Sequence, residues 1–295
     1  MKNAKSKDNT YSKIISGCMT WGSWGKSFSN RQMIDTIQYC LEIGVTTFDH
    51  ADIYGGYTTE ADFGAAFVKS NIEREKIQLI SKCGIQMAAE ARPNTVKHYD
   101  YSSEYIIASV EQSLLNLRTD YLDMLLLHRP SPLMHPEIIA EAIVKLQGEG
   151  KIIDFGVSNF MPGQIAMLEK NIPIGSNQIE FSLTANQAIY NGILDDGITN
   201  NRMMMCWSPL GRIFKEKTEQ TIRVRKVLDK MCTKYETTED QLLLAWLLKH
   251  PANIHPVIGT TTRTRLSAAF AAQQIDLKKT DWYILLEASN GHEVA

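Results

Sequence analysis

Short runs of apolar and β-branched residues alternate along this chain with longer stretches in which apolar positions recur every three or four residues. The short runs fit buried strands and the longer stretches fit amphipathic helices, so their alternation predicts strand-helix-strand units around a parallel sheet. Eight strands are expected, near 14 to 18, 45 to 48, 77 to 81, 122 to 127, 152 to 157, 176 to 179, 202 to 206 and 255 to 258. Between them RQMIDTIQYCLEIG and SSEYIIASVEQSLLNLR read as helices, the second with Ile106, Val110, Leu114 and Leu117 on one face. Gly44 and Gly84 mark element ends, Ser102 and Ser103 suit an N-cap, and Pro136 suits a first helical turn.

Eight such pairs in 295 residues predict an α/β chain folded as a closed (β/α)8 TIM barrel. The expected organisation is a polar N-terminal tail at 1–10 and one barrel domain over 11–295. TEDQLLLAWLLKH and TDWYILLEASN supply extra helices near the C-terminus. An open doubly wound sheet is the alternative, but no GxGxxG follows the first strand, as a Rossmann dinucleotide site would require.

Composition narrows the function classes. With 44% hydrophobic residues the chain can bury a large core. The formal charge of -2, with 31 basic residues scattered along the chain, leaves no electrostatic footprint for nucleic acid. No apolar stretch reaches the roughly 20 residues of a membrane span, and the start lacks the apolar segment of a secretory signal. Five cysteines without CxxC spacing read as reduced core thiols, and the expected location is the cytoplasm.

The chemistry lies where the apolar runs end. TTFDHADIYGGY closes with Asp49 and Tyr54, QLISKCG with Lys82 and LDMLLLHRP with His128. In a closed barrel these endings share the rim that carries reactive groups. A buried Asp49–Lys82 pair is expected there, with the Lys82 ammonium lowering the Tyr54 phenol from about 10 and making it a usable acid. His128 is placed to hydrogen-bond the oxygen that receives the proton. Each of these residues alone has an ordinary structural explanation, but four titratable groups on three consecutive strand ends point to a site.

The pattern D-x-A-x-x-Y-G from Asp49 to Gly55, then SKCG, LLLHRP and GVSNF, resembles the aldo-keto reductase superfamily over nearly the whole chain. DHADIYGGY, ISKCGI, VEQSL and HRPSPLM look most like its bacterial YdhF-type oxidoreductases. The resemblance implies reduction of small-molecule aldehydes or ketones by NADP(H), with Tyr54 as proton donor, Lys82 and Asp49 tuning it, and His128 orienting the carbonyl. It further implies Ser158, Asn159 and Gln178 on the nicotinamide carboxamide, and Trp207 stacked on the ring. By the same likeness the loop of Ser208, Leu210 and Gly211 meets the pyrophosphate, and Thr20, Trp21 and Asp49 border the nicotinamide. Gly259, Thr260, Thr262 and Arg265 of IGTTTRTR match the segment that holds the 2′-phosphate. The chain departs from the pattern at Thr262, where many relatives carry Lys, and at Ala268 and Ala269, where some carry adenine contacts.

Phe181, Trp21, Trp24 and Tyr57 are candidate pocket walls, and the loops RPSPLMHP and PLGRIFKEK and the tail NGHEVA are expected to shape substrate choice. Two other functions are open at this point. His50, Asp52 and His128 recommend a zinc-dependent barrel hydrolase, although the HxH pair of many such enzymes is absent. Related barrels also serve as non-catalytic nicotinamide-sensing subunits of potassium channels. No metal site and no nucleic-acid or membrane partner is expected, and the oligomeric state is open.

Overall fold

A computed structural model describes residues 11–90 and 92–294. The polar tail expected at 1–10 lies outside the described residues. Eight parallel strands form a closed barrel in the order β1-β10-β9-β8-β7-β6-β3-β2. They are β1 (Ile15–Gly17), β2 (Thr47–Asp49), β3 (Gln78–Cys83), β6 (Leu122–Leu127), β7 (Ile152–Ser158), β8 (Ser176–Glu180), β9 (Met203–Trp207) and β10 (Ile254–Ile258). All eight expected strands are present, with ends shifted by at most two residues.

Two short strands, β4 (Ile85–Gln86) and β5 (His98–Tyr99), were not expected. They pair antiparallel as a hairpin outside the barrel. Strands of two residues carry too little alternation to register in the hydrophobic pattern.

The described residues divide into two compact units, with the boundary between Phe155 and Gly156. In the first, β1, β2, β3 and β6 alternate with α1 (Asn30–Glu42), α2 (Thr59–Lys69), α3 (Ser103–Leu117) and α4 (Pro136–Gly148). Helix α1 begins at a Ser29/Gln32 capping box, and Ser102 rather than Ser103 caps α3 by accepting the Tyr105 N–H. Pro136 occupies the first turn of α4, where its missing N–H costs nothing. Ile106, Val110, Leu114 and Leu117 are all buried, each burial contributing roughly 1.5–3 kcal/mol.

Strands β7 to β10 are joined by α5 (Pro162–Leu168), α6 (Ile193–Thr199), α7 (Glu219–Tyr235) and α8 (Glu239–Leu248). Helices α9 (Arg263–Ala271) and α10 (Lys279–Asn290) follow β10. The residues from Leu242 to Leu247 are all buried, so α8 is apolar all round rather than amphipathic. Trp246 stacks on Trp282 of α10 with centroids 4.9 Å apart. Each indole N–H donates to the other's carbonyl oxygen, which fastens α10 to α8. Among the described residues no helix is long and apolar enough to cross a membrane, and all five cysteines are free, four of them buried.

Candidate active site

Parallel pairing brings the end of β2 beside β3, and β3 beside β6: Asp49 pairs with Ile80, and Lys82 with Leu126. Asp49, Tyr54, Lys82 and His128 are therefore carried by neighbouring strand ends, and all four are buried. The Lys82 ammonium sits at their centre. Its Nζ donates to Asp49 Oδ2 at 2.8 Å, to the His50 carbonyl at 2.7 Å and to Tyr54 Oη at 3.0 Å. Three acceptors satisfy the three N–H bonds of a group that burial would otherwise penalise. Although burial works against its charge, Asp49 and Tyr54 hold the ammonium above its ordinary range.

Tyr54 lies in the turn after β2, its N–H donating to the Ala51 carbonyl at 3.1 Å. Its ring packs with Ala51, Ile53 and Ile85. The phenol departs from the sequence expectation: burial raises it above its ordinary value, Lys82 lowers it and Asp49 raises it, with a net upward shift. An ammonium at 3.0 Å offsets only part of the cost of desolvating a phenolate. Tyr54 is thus held protonated, with the group that would stabilise its anion already in contact.

The His128 ring meets the Tyr54 ring edge-on, centroids 6.1 Å apart. Burial, then Lys82, Arg129 and Lys97, push the imidazole well below its usual value, so it is neutral. Its Nδ1 is buried with no hydrogen-bond partner among the described residues.

The aromatic expectations divide. Trp24 is 41% exposed, with its ring 6.2 Å from that of Tyr54. Tyr57 accepts the Met87 N–H at 3.0 Å and lies under the Arg92 guanidinium, 4.3 Å from its centre, which ties it to the β4–β5 hairpin. Trp21 and Phe181, by contrast, are fully buried. Trp21 packs against Phe28, Phe48 and Phe63, and Phe181 against Trp246 and His250. Their side chains are core groups, not pocket walls, and the Trp21 ring cannot border a ligand. Thr20, one residue earlier, is partly exposed, and its carbonyl accepts the Lys26 N–H at 2.7 Å.

The zinc reading is corrected as well. The His50 ring packs edge-on to Phe63 at 4.4 Å, and neither ring nitrogen has a partner among the described residues. Asp52 Oδ1 accepts the Ile53 N–H, and Oδ2 accepts from Tyr105 and Ser109. Adjacent residues of an extended chain face opposite sides, so the His50 side chain diverges from that of Asp49. Among the described residues no three His, Cys, Asp or Glu side chains gather as a metal would need.

In the second unit a chain of hydrogen bonds links three strand ends. The Trp207 indole N–H donates to Asn159 Oδ1 at 3.0 Å, Asn159 Nδ2 donates to Ser158 Oγ at 2.7 Å, and Ser158 Oγ donates to the Gln178 carbonyl at 3.0 Å. Ser158 ends β7, Trp207 ends β9, and Asn159 takes a positive φ of 61° just beyond its strand. Ser208 also turns at positive φ, and Leu210 and Gly211 follow. A Cβ on Gly211 would lie 2.1 Å from Thr184 Oγ1, so only glycine admits this loop path. Gly259 and Thr260 follow β10, Thr262 stands at the N-cap position of α9 without a side-chain capping bond, and Arg265 is exposed in the first turn of that helix. The candidate residues of this half are thus brought together in two groups, one at the ends of β7 to β9 and one at the start of α9.

Fold and site define a (β/α)8 barrel with a buried Tyr-Lys-Asp group, joined by a histidine, at the carboxyl ends of its strands. The chain belongs to the aldo/keto reductase family, whose model matches residues 13–290. It is 42% identical over 294 residues to an uncharacterized oxidoreductase, YcsN, of Bacillus subtilis, covering 98% of this chain and 97% of the relative. It is 37% identical to the oxidoreductase YdhF of Escherichia coli, covering 96% and 95%. A 6-dehydroglucose reductase of Agrobacterium fabrum is 38% identical, with 88% of each chain covered. Among solved structures, a glycerol dehydrogenase from Gluconobacter oxydans superposes with a TM-score of 0.85 at 20% identity, covering 98% of this chain and 94% of that one.

Proposed function

We propose that this protein reduces aldehydes or ketones to alcohols with NADPH, Tyr54 acting as general acid. The observation that carries the reading is the Lys82 ammonium in simultaneous contact with Tyr54, at 3.0 Å, and Asp49, at 2.8 Å. A substrate carbonyl accepts a hydrogen bond from the Tyr54 hydroxyl and from the neutral His128 imidazole, which fixes its orientation. As negative charge develops on the carbonyl oxygen, Tyr54 transfers its proton. The phenolate left behind is stabilised by Lys82, so the ammonium acts on the transition state more than on the resting phenol. Asp49 holds Lys82 charged and aimed.

When bound, a reduced nicotinamide would supply a hydride, that is, the two electrons and the carbon-bound hydrogen of the alcohol. The residues fit such a group. Ser158, Asn159 and Gln178 offer the donors and acceptors that a carboxamide requires, and the partly exposed Trp207 ring is held in place by Asn159. For the phosphates, the glycine-dependent loop at Ser208, Leu210 and Gly211 and the segment Gly259, Thr260, Thr262 and Arg265 supply backbone amides and a guanidinium, which favours NADP over NAD. Thr20, which is partly exposed, would border the nicotinamide. The relative named for 6-dehydroglucose makes sugar carbonyls the first compounds to test.

The test is NADPH-absorbance decay with small aldehydes, ketones and oxidised sugars, comparing wild type with Tyr54→Phe. Turnover is expected to fall by about 10² or more while NADPH binding persists. Equal turnover would remove Tyr54 from the mechanism, and no turnover by wild type with any carbonyl would leave the nicotinamide-sensing role.

A further inference from the structure

Tyr101 was not singled out by any motif, yet it is the side chain through which the first unit grips the turn carrying His128. Its hydroxyl donates to the Arg129 carbonyl oxygen at 2.5 Å and accepts the Arg129 N–H at 3.2 Å. One phenol thus satisfies both backbone groups of the residue next to His128. On the other side the His128 N–H donates to the Cys83 carbonyl at 2.9 Å, continuing the β3–β6 ladder by one rung. The peptide units flanking the imidazole are therefore pinned from two directions, by a strand and by a side chain.

The chain around Tyr101 is arranged to deliver that hydroxyl. Tyr101 is 6% exposed and stands just before the Ser102 N-cap of α3, and Asp100 Oδ1 accepts from both the N–H and the hydroxyl of Ser102. The Asp100 N–H reaches the Gly84 carbonyl at 2.9 Å, so the end of the β4–β5 hairpin is tied to the residue two beyond Lys82. Gly84 has a φ of 114°, and a Cβ there would lie 2.1 Å from Tyr101 Cε1. Glycine leaves the space that the Tyr101 ring fills, directly between the strand end bearing Lys82 and the turn bearing His128. A tyrosine serving only to fill this space would not need its oxygen placed on both polar groups of one peptide residue.

We infer that Tyr101 is a positioning residue for His128, holding the His128–Arg129 turn so that the imidazole is presented toward Tyr54. This rests on the proposed role of His128 in orienting the carbonyl. It predicts a coupling that a purely structural tyrosine would not show: removing the Tyr101 hydroxyl should cost activity only while His128 is present to be misplaced.

The experiment is a double-mutant cycle of Tyr101→Phe and His128→Gln, read as kcat and KM for an aldehyde and as NADPH dissociation constants, with thermal melts confirming that each variant is folded. Tyr101→Phe keeps the ring and removes only the oxygen. It should lower kcat/KM about tenfold with the NADPH dissociation constant unchanged, and should cause no further loss in the His128→Gln background. Additive losses, or wild-type kinetics in Tyr101→Phe, would overturn the inference. A second readout does not depend on turnover: the His128 imidazole resonances of ¹⁵N-labelled protein should move in Tyr101→Phe, and unmoved resonances would overturn it equally. If wild type reduces no carbonyl, the proposed function fails, and the resonance measurement still judges the placement of His128.

Discussion

His50 gives the sharpest test of the electrostatics of this fold. Its imidazole is fully buried against Phe63, and burial together with the nearby Lys82 pushes it down to about 3 from an ordinary 6.5. Because the folded state favours the neutral ring, the unfolded chain binds the extra proton between these values. Stability from His50 is fully present above about 6.5 and is lost as the pH falls toward 3. Asp52 works the other way. Burial and the nearby Glu60 push its carboxyl up to about 7, so its contribution is fully present below its ordinary 3.8 and is lost as the pH rises through 7. On going from pH 7 to about 4.5 the two contributions change by roughly 2 to 3 kcal/mol each with opposite sign, taking about 1.4 kcal/mol per unit. They nearly cancel in the wild type. His50→Leu removes one side of the balance, so urea unfolding should show the variant gaining about 2 to 3 kcal/mol relative to wild type on going from pH 7 to about 4.5. Parallel pH profiles for the two proteins would refute the reasoning, whatever their offset at neutral pH.

Three further outcomes are expected. Asp49→Asn leaves the Lys82 ammonium buried with its ion-pair partner gone and should cost about 3 to 5 kcal/mol in urea unfolding, together with most of the turnover. Gly84→Ala forces a Cβ into the Tyr101 ring at a positive φ and should lower the melting temperature by several degrees, with carbonyl reduction falling more than NADPH binding. Arg265→Ala should raise the NADPH dissociation constant about tenfold and leave that for NADH nearly unchanged, by loss of one charge-assisted contact; an unchanged NADPH titration would remove Arg265 from the phosphate site.

Much of the barrel was legible from local pattern. A strand of five to seven residues packed on both faces leaves an apolar run, and a helix laid over it leaves a three-and-four stripe, so β6 and α3 appear in the sequence nearly residue for residue. The three polar strand endings were visible for the same reason, because a carboxylate, an ammonium and an imidazole interrupt runs that otherwise fill a core. The β4–β5 hairpin was not legible, since two-residue strands have no period. Trp21 and Trp24 illustrate the limit further: three positions apart in one loop, one is buried among phenylalanines and the other stands half-exposed beside Tyr54, and their letters are the same.

Residue types and their spacing were enough to name the groups that meet at the strand ends, because chemistry of that kind depends on which atoms are available. How strongly each group holds its proton, and what holds it in place, came from packing. The Tyr54 phenol is raised although an ammonium touches it, and the turn of His128 is pinned by a hydroxyl 28 positions from Arg129. Desolvation and backbone satisfaction are sums over neighbours from distant parts of the chain, and no stretch of sequence contains those sums.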